Sequence, residues 1–246
     1  MTKKAFSFFL LSLFFIGFST ESKAQFWKQK KKKIQKKITR PISKPKKGGF
    51  LPYSKVVNTS FKTDNGLFKV HKKESTYLFE LPDTLLKREF LMVTRIAKTA
   101  SGVGFGGGKA NTQVLRWEKK NKEILLRVVS HNVTADSILP IHEAVVNSNL
   151  EPILFSFPIK TISKDSTATV IDATPLFSVD IKSLGFPNNY RKRFKISRLD
   201  KSRSYIDRIS SYPKNIEIRH IKTYGASNNN TGALTFEISN SMILLP

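Results

Sequence analysis

One stretch of the sequence begins like a metal-binding motif. His142 and Glu143 start the pattern H-E-x-x-H, in which two histidines one helical turn apart bind zinc and the glutamate acts as general base. Val146 stands where the second histidine is needed, so the motif is incomplete. The other histidines lack paired ligand spacing and are expected to be structural and partly exposed: His71, His131 and His220. We therefore predict no zinc site in this chain.

A glycine-rich stretch resembles a phosphate-binding loop. Residues 102–107 match G-x-G-x-x-G, and Lys109 follows shortly after. In a dinucleotide-binding loop this pattern leads from a strand into a helix, whereas residues 112–117 here have the pattern of a strand. Ala110 stands where a Walker loop needs Ser or Thr after the lysine. We predict a flexible hairpin loop instead.

The signatures of a catalytic nucleophile are also missing. The chain contains neither a G-x-S-x-G pattern nor a cysteine, which excludes a thiol nucleophile, a thiolate zinc site and a disulfide framework. The basic cluster at residues 191–195, with Arg198, Lys201 and Arg203 nearby, could contact phosphates or carboxylates. A solvated or domain-docking face is favoured over nucleic-acid binding, because few aromatic residues are interleaved. We predict no catalytic residue in this chain.

Charge divides the sequence into an arm and a body. The 246 residues include 43 Lys and Arg against 18 Asp and Glu, and residues 25–47 carry eleven of the basic residues and no acid. Like-charge repulsion and few apolar side chains predict that residues 25–60 form a disordered, lysine-rich tether. Its candidate contacts to an anionic surface are Lys30, Lys31, Lys32, Lys33, Lys36 and Lys37.

A targeting segment precedes the arm. Lys3 and Lys4 are followed by an apolar run at residues 5–18 and by a small-residue site ending at Ala24. This arrangement predicts a signal peptide of residues 1–24 that is removed on export. The run is too short to cross a bilayer, so we expect no transmembrane span after cleavage and a secreted, periplasmic or envelope-associated protein. The lysines after residue 27 oppose translocation, and the alternative is an inverted anchor with a cytoplasmic body.

The body, residues 61–246, is predicted to be mostly β, of the α+β class, with antiparallel sheets and a few short helices. Alternating or continuous apolar patterns predict strands at residues 66–70, 75–81, 90–97, 113–119, 123–130, 152–161, 168–173, 215–224 and 233–245. Short helical segments are predicted at residues 84–89, 138–146 and 202–211.

Several blocks of the body resemble, in order, the N-terminal region of a family of bacterial secreted zinc-dependent metalloproteases. The blocks are residues 66–73, 77–83, 85–86, 90–96, 116–118, 126–129, 147–152, 171–177, 204–206, 213–217 and 241–246. The resemblance covers nearly everything from about residue 60 onward. In that family the extended zinc motif lies beyond the point at which this chain stops, and the matching region consists of domains of unknown function.

The resemblance implies an accessory N-terminal region that is inactive alone and holds no cofactor, zinc belonging to the full-length family. Its partner would be a metalloprotease domain in the same protein or in a separate chain. The alternative is a non-enzymatic β module that binds anionic envelope polymers through its basic arm. Because residues 239–246 form an apolar strand pattern without a polar tail, we also expect a truncated gene product whose last strand exposes an unpaired edge.

Overall fold

The computed structural model describes residues 49–227 and 230–246, which form one antiparallel sheet. The signal peptide, most of the arm and the six candidate lysines at 30–37 lie outside the described residues. The eleven strands are β1 (Lys62–Asp64), β2 (Lys69–Lys73), β3 (Thr76–Pro82), β4 (Glu89–Lys98), β5 (Lys109–Lys120), β6 (Glu123–Val129), β7 (Ile153–Ile162), β8 (Ala168–Asp172), β9 (Ile196–Ser211), β10 (Asn215–Ala226) and β11 (Ala233–Leu244). Their order across the sheet is β1-β2-β3-β8-β7-β6-β5-β4-β11-β10-β9.

Helices are few and short in the described residues. The α-helices are α1 (Tyr53–Val56), α2 (Ile141–Ser148), α3 (Thr174–Ser178) and α4 (Asn188–Phe194), and 3-10 turns occupy Asp83–Leu85 and Lys182–Leu184. Helix α1 falls within residues that the sequence assigns to the arm. None of the helices described here has the length and apolar character needed to span a membrane.

Alternation along the strands builds the main core on one face of the sheet. On β4, Phe90 and Met92 are buried, whereas Leu91 and Val93 between them are only partly buried. The aromatic rings in this core pack in tilted pairs, such as Trp117 of β5 and Phe157 of β7, whose centroids lie 5.6 Å apart. Helix α3 adds two more buried side chains, Leu176 and Phe177, to the same cluster.

A second, smaller core lies where α4 packs against the sheet. Phe186 is fully buried, and its ring centroid lies 5.8 Å from that of Phe194, 5.5 Å from Tyr224 and 4.6 Å from Phe236. Burial of one such side chain contributes about 1.5–3 kcal/mol. Helix α4 ends at Phe194 because Lys195 adopts a left-handed backbone conformation, with φ 51°.

The two edges of the sheet come together, so the sheet is nearly closed. The Ser211 backbone N–H at the end of β9 donates to Asp64 of β1 at 2.9 Å, and the Ser211 hydroxyl donates to the Phe68 carbonyl at 2.7 Å. The Leu67 N–H donates to the Tyr212 carbonyl at 2.7 Å. Gly66 is required at this contact, since a Cβ there would lie 2.5 Å from the Ser211 hydroxyl oxygen.

The predicted class is confirmed as mostly β and antiparallel, but the predicted helix at residues 202–211 is wrong. These residues belong to β9, which pairs with β10 through three register shifts. At each register shift, buried and exposed positions of β9 stop alternating every two residues. The apolar residues Ile206 and Ile209 are therefore three positions apart, a spacing that also occurs on one face of a helix. The helix predicted at residues 138–146 is present as α2, shifted toward the C-terminus.

The last strand does not expose an unpaired edge, contrary to the expectation from sequence. β11 lies between β4 and β10 and is hydrogen-bonded to both. Met242 is fully buried, and Leu244 packs partly buried against the main core. The apolar pattern of residues 239–246 therefore reflects a central strand that is paired on both sides.

Candidate functional site

The connection between β6 and β7 is a long excursion, residues 130–152, that contains α2. No residue of α2 is buried. The apolar side chains in and just after the excursion are strongly exposed: Val133, Ile138, Leu139, Ile141, Val146, Leu150 and Ile153. Ile138 is 82% exposed and Leu150 is 89% exposed. Because soluble proteins rarely expose so many apolar side chains together, the excursion has the character of a docking surface.

The excursion also differs from the rest of this basic chain in charge. Residues 128–159 contain no Lys or Arg, although the whole chain carries a net charge of +25. The charged residues of the excursion are acidic: Asp136, Glu143 and Glu151. The surface it presents is therefore apolar and acidic, and its natural complement is an apolar surface that carries Lys or Arg.

A cleft of about 780 Å³ lies between the excursion and the face of the sheet opposite the core. Ion pairs organise its polar side. Arg116 of β5 is hydrogen-bonded to the Glu151 carboxylate and lies 3.8 Å from Glu89. His131 donates from Nε2 to Glu89 at 3.1 Å, and Arg127 donates to the Glu151 backbone carbonyl at 2.8 Å. These contacts fix both ends of the excursion to the sheet.

The other wall of the cleft is apolar. It is lined by Val129, Val133, Val145, Val146 and Leu150, among others. A cleft of this size and lining can accept one or two apolar side chains. Arg116 already pairs with both Glu89 and Glu151, so these charged groups have partners within the cleft.

The residues of the incomplete zinc motif do not fit a zinc site. Nδ1 of His142 donates to the Ala135 carbonyl at 3.1 Å, while Glu143 and Val146 are exposed on α2. Within residues 49–227 and 230–246, no three His, Asp or Glu side chains cluster in a way that could hold a metal ion.

Two of the histidines are buried, so the prediction that they would be partly exposed is wrong for them. His220 on β10 is fully buried, and burial lowers its pKa to about 3, so the ring is neutral. Its Nε2 donates to Asn240 of β11 at 2.7 Å. His71 on β2 is also buried, with 2% of its surface exposed. His131 is exposed, as expected.

His71 belongs to a buried cluster with the connectivity of a hydroxyl–imidazole–carboxylate relay. Its Nδ1 lies 2.8 Å from the Thr63 hydroxyl, and its Nε2 lies 2.9 Å from the Glu80 carboxylate. Glu80 also accepts hydrogen bonds from Tyr53 at 2.7 Å and Lys69 at 2.8 Å. Because this carboxylate joins α1, β2 and β3, the cluster holds the first residues of the structured region on the sheet.

The charge of Glu80 is stabilised by these partners. Burial alone would raise its pKa, but hydrogen bonds from His71, Lys69 and Tyr53 outweigh burial and lower the pKa to about 2. Burial, followed by the hydrogen bond to the Glu80 carboxylate, raises the pKa of Tyr53.

The glycine-rich stretch connects β4 to β5, as predicted, and no helix follows it. Gly106 passes so close to β4 that a Cβ would lie 2.1 Å from the Ala97 carbonyl oxygen. The predicted basic cluster is divided by the structure. Arg191 pairs with Asp180 and lies over the Tyr224 ring, whereas Lys192 and Arg193 are exposed.

Sequence reasoning missed the excursion as a site. It singled out residues 142–146 for their likeness to a zinc motif and did not use their exposure. The available signal was the absence of Lys and Arg from residues 128–159 in a strongly basic chain.

The described residues define a mostly β domain, built on one nearly closed antiparallel sheet, with an exposed apolar excursion. Comparison with known families finds two domains of unknown function. The family described as "Domain of unknown function (DUF5117)" matches residues 107–246, and "Domain of unknown function (DUF5118)" matches residues 50–99. The chain therefore belongs to the DUF5117 family. Neither description links it to a metalloprotease family.

The two matched segments form one sheet. Residues 50–99 contain α1 and β1–β4, and residues 107–246 contain β5–β11. β4 lies between β5 and β11, and β3 pairs with β8, so strands of the two segments are hydrogen-bonded to each other in the sheet. No curated protein and no solved structure matches the chain.

Proposed function

We propose that this chain is the accessory N-terminal region of a secreted zinc-dependent metalloprotease-like protein. In this proposal it acts outside the cytoplasm, in the envelope, the periplasm or the medium. It is inactive alone, and zinc is held by the protease domain. Its role is to pack beside that domain through the excursion and to shape access to the active site.

The observation that carries the proposal is the exposed apolar surface of residues 130–152. A helix with no buried residue gains little stability from its own domain, since helices in proteins are stabilised mainly by packing of an apolar face. Ile138, Ile141 and Leu150 instead offer their apolar area to a partner. Such anchors, when they enter a partner's pocket, provide most of the binding energy of an interface.

The residues after β11 are hydrogen-bonded next to the cleft. The Leu245 backbone N–H donates to the Glu89 carbonyl at 3.0 Å, and Arg88 donates to the Leu245 carbonyl at 2.9 Å. Glu89 also lines the cleft beneath the excursion. A partner docked on the excursion would therefore also lie near Arg88 and Leu245.

The test uses the zinc-motif domain of a full-length member of the resembled metalloprotease family, supplied separately to the whole chain. We expect binding that is lost in Ile138→Asp, since a charge would then be buried against an apolar surface. Phe105→Asp is the matched control, because Phe105 is 99% exposed in the loop between β4 and β5. Binding is measured by isothermal titration calorimetry.

Two outcomes would contradict the proposal. Equal loss in both variants would show that the excursion has no special role. Sedimentation showing a dimer of the wild-type chain that Ile138→Asp abolishes, without binding to the protease domain, would assign the excursion to self-association.

A further inference from the structure

A ridge of exposed cations lies far along the sheet from the excursion, on the last turn of α4 and the first half of β9. Residues 192–203 contain one acid, Asp200, and their exposed cations are Lys192, Arg193, Lys195, Arg198, Lys201 and Arg203. We name this segment the basic ridge. It lies on the edge strand β9, which pairs with β10 on one side only.

A bulge in β9 projects part of the ridge from the sheet. Asp200 pairs with Thr223 and Tyr205 pairs with Ile221, so residues 201–204 stand opposite Lys222 alone. The Thr223 hydroxyl donates to the Arg203 carbonyl at 2.8 Å, and the Thr223 N–H donates to the Ser204 hydroxyl at 3.0 Å. The bulge is therefore held in one conformation.

The single acidic residue of the ridge, Asp200, already has partners within the protein. The Asp200 carboxylate accepts from the Ser202 N–H at 2.9 Å and from the Arg203 guanidinium at 2.9 Å. The hydrogen bonds from Ser202 and Arg203 lower the pKa of Asp200 to about 2. Since this carboxylate organises the bulge, Arg198 and Lys201 remain available for an external anion.

Two hollows lie along the ridge. One of about 700 Å³ is lined by Arg198, Lys201 and Arg203 together with Asp200 and with Asp180, which pairs with Arg191. The other, of about 280 Å³, is lined by Arg193 and Lys195. They lie against neighbouring residues of β10, because Gly225 lines the first and Ala226 the second. Cations thus line both hollows, where the charges of a polyanion could be paired.

We propose that the basic ridge binds a linear sulfated or carboxylated polysaccharide. The sulfate or carboxylate groups of such a polysaccharide can pair with the exposed Lys and Arg side chains of the ridge, and no other kind of contact is needed. Nucleic acid would gain much of its affinity from bases stacked on exposed aromatic rings. Residues 192–203 offer no such ring, since Phe194 is buried, and the half-buried Tyr190, which precedes them, is bound through its hydroxyl to the Lys109 carbonyl at 2.9 Å. Tyr205, which follows them on β9, is 59% exposed and offers a single ring rather than a series on which successive bases could stack.

The site is distinct from the excursion, so this inference does not depend on the proposed function. It also differs from attachment through the lysines at 30–37, because it assigns the contact to a folded part of the body. A few charges would suffice to protect an edge strand from pairing with other chains. Six exposed cations in residues 192–203 exceed that need.

The experiment measures binding of a defined heparin oligosaccharide to the full chain by isothermal titration calorimetry. The test variant is Arg198→Glu with Lys201→Glu. Lys120→Glu with Lys122→Glu is the control, because both lysines are exposed at the turn between β5 and β6 and the net charge changes equally. Circular dichroism checks folding, and Arg198→Gln with Lys201→Gln replaces the test variant if charge reversal unfolds it.

We expect the test variant to bind about tenfold or more weakly and the control to change by less than about twofold, with affinity falling as salt increases. Equal losses in both variants would show that net charge alone determines binding. Unchanged binding in both would assign it to the arm. Tighter binding of a single-stranded DNA oligonucleotide through the same two residues would assign the ridge to nucleic acid. Each of these results would overturn the proposal.

Discussion

At the scale of single residues, Glu80 carries the most consequential charge in the described part of the chain. Three side chains from three places in the sequence donate to it, while burial removes it from water. Hydrogen bonds to a charged acceptor contribute about 1.5–3 kcal/mol each when their partners remain in place. The carboxylate is therefore a structural charge, although its links to His71 and Thr63 resemble a catalytic relay.

Replacing Glu80 with Gln should lower the free energy of unfolding at pH 7 by about 1–3 kcal/mol. The pKa of Glu80 is about 2 in the folded protein, against 4.5 for an ordinary glutamate. The unfolded chain therefore binds the proton first as pH falls, and the stability from Glu80 is lost between about pH 4.5 and 2. Urea denaturation at pH 7, 4.5 and 3 measures this dependence.

The wild type should lose its stability advantage over Glu80→Gln across that range. Asp207→Asn is the control, because Asp207 is exposed and its side chain does not take part in the cluster. An advantage that stays constant from pH 7 to pH 3 would contradict the assigned role of the Glu80 charge.

Gly66 provides the residue-scale test of the contact between the two sheet edges. Gly66→Ala would place a Cβ 2.6 Å from the Ser211 backbone carbon, so the edges must separate or the backbone must move. We expect a loss of about 1–3 kcal/mol in unfolding free energy. Gly49→Ala, where nothing lies within 4 Å, should be close to neutral. Equal thermal stability of the two variants would contradict the close contact.

At the scale of elements, the excursion should be dispensable for folding. One end is fixed by the contacts of Arg116 and Arg127 with Glu151 and the other by the contact of His131 with Glu89, but α2 contributes no buried side chain. Replacing residues 134–149 with a short Gly-Ser linker should change the melting temperature by only a few degrees, because little apolar area is lost from the core. Differential scanning calorimetry gives the result, and a loss of cooperative unfolding would show that the excursion belongs to the core.

The sequence alone predicted those strands whose apolar pattern is complete within one continuous segment. Alternation identified β3 from Tyr77, Phe79 and Leu81, and continuous apolar runs identified β4 and β11. It failed for β9, where bulges broke the alternation, and it could not order the strands. The placement of β4 between β5 and β11 depends on pairing between distant segments, which a single strand's pattern does not encode.

The same limit applies to the candidate site. Composition could reveal that residues 128–159 lack Lys and Arg, but exposure of Ile138 and Leu150 depends on which strands α2 lies beside. The basic ridge was visible as a charge cluster. Its division into a partly buried ion pair at Arg191 and exposed cations at Arg198 and Lys201 required the fold.

At the scale of the whole molecule, the two family segments should behave as one folding unit. A protease recognition site inserted after Gly104 allows the chain to be cut between β4 and β5. We expect the two fragments to elute together in size-exclusion chromatography under native conditions and to separate only in denaturant, since β4 lies between β5 and β11. Fragments that separate while each stays folded would show two independent domains.

The central claim is that the excursion is a docking surface for a metalloprotease domain, and hydrogen–deuterium exchange tests it most directly. The full chain is measured alone and with the zinc-motif domain of a full-length member of the resembled family. The account predicts slower exchange at residues 131–150 on addition of that domain, with little change in the basic ridge. Unchanged exchange at residues 131–150, or protection confined to other parts of the sheet, would contradict it.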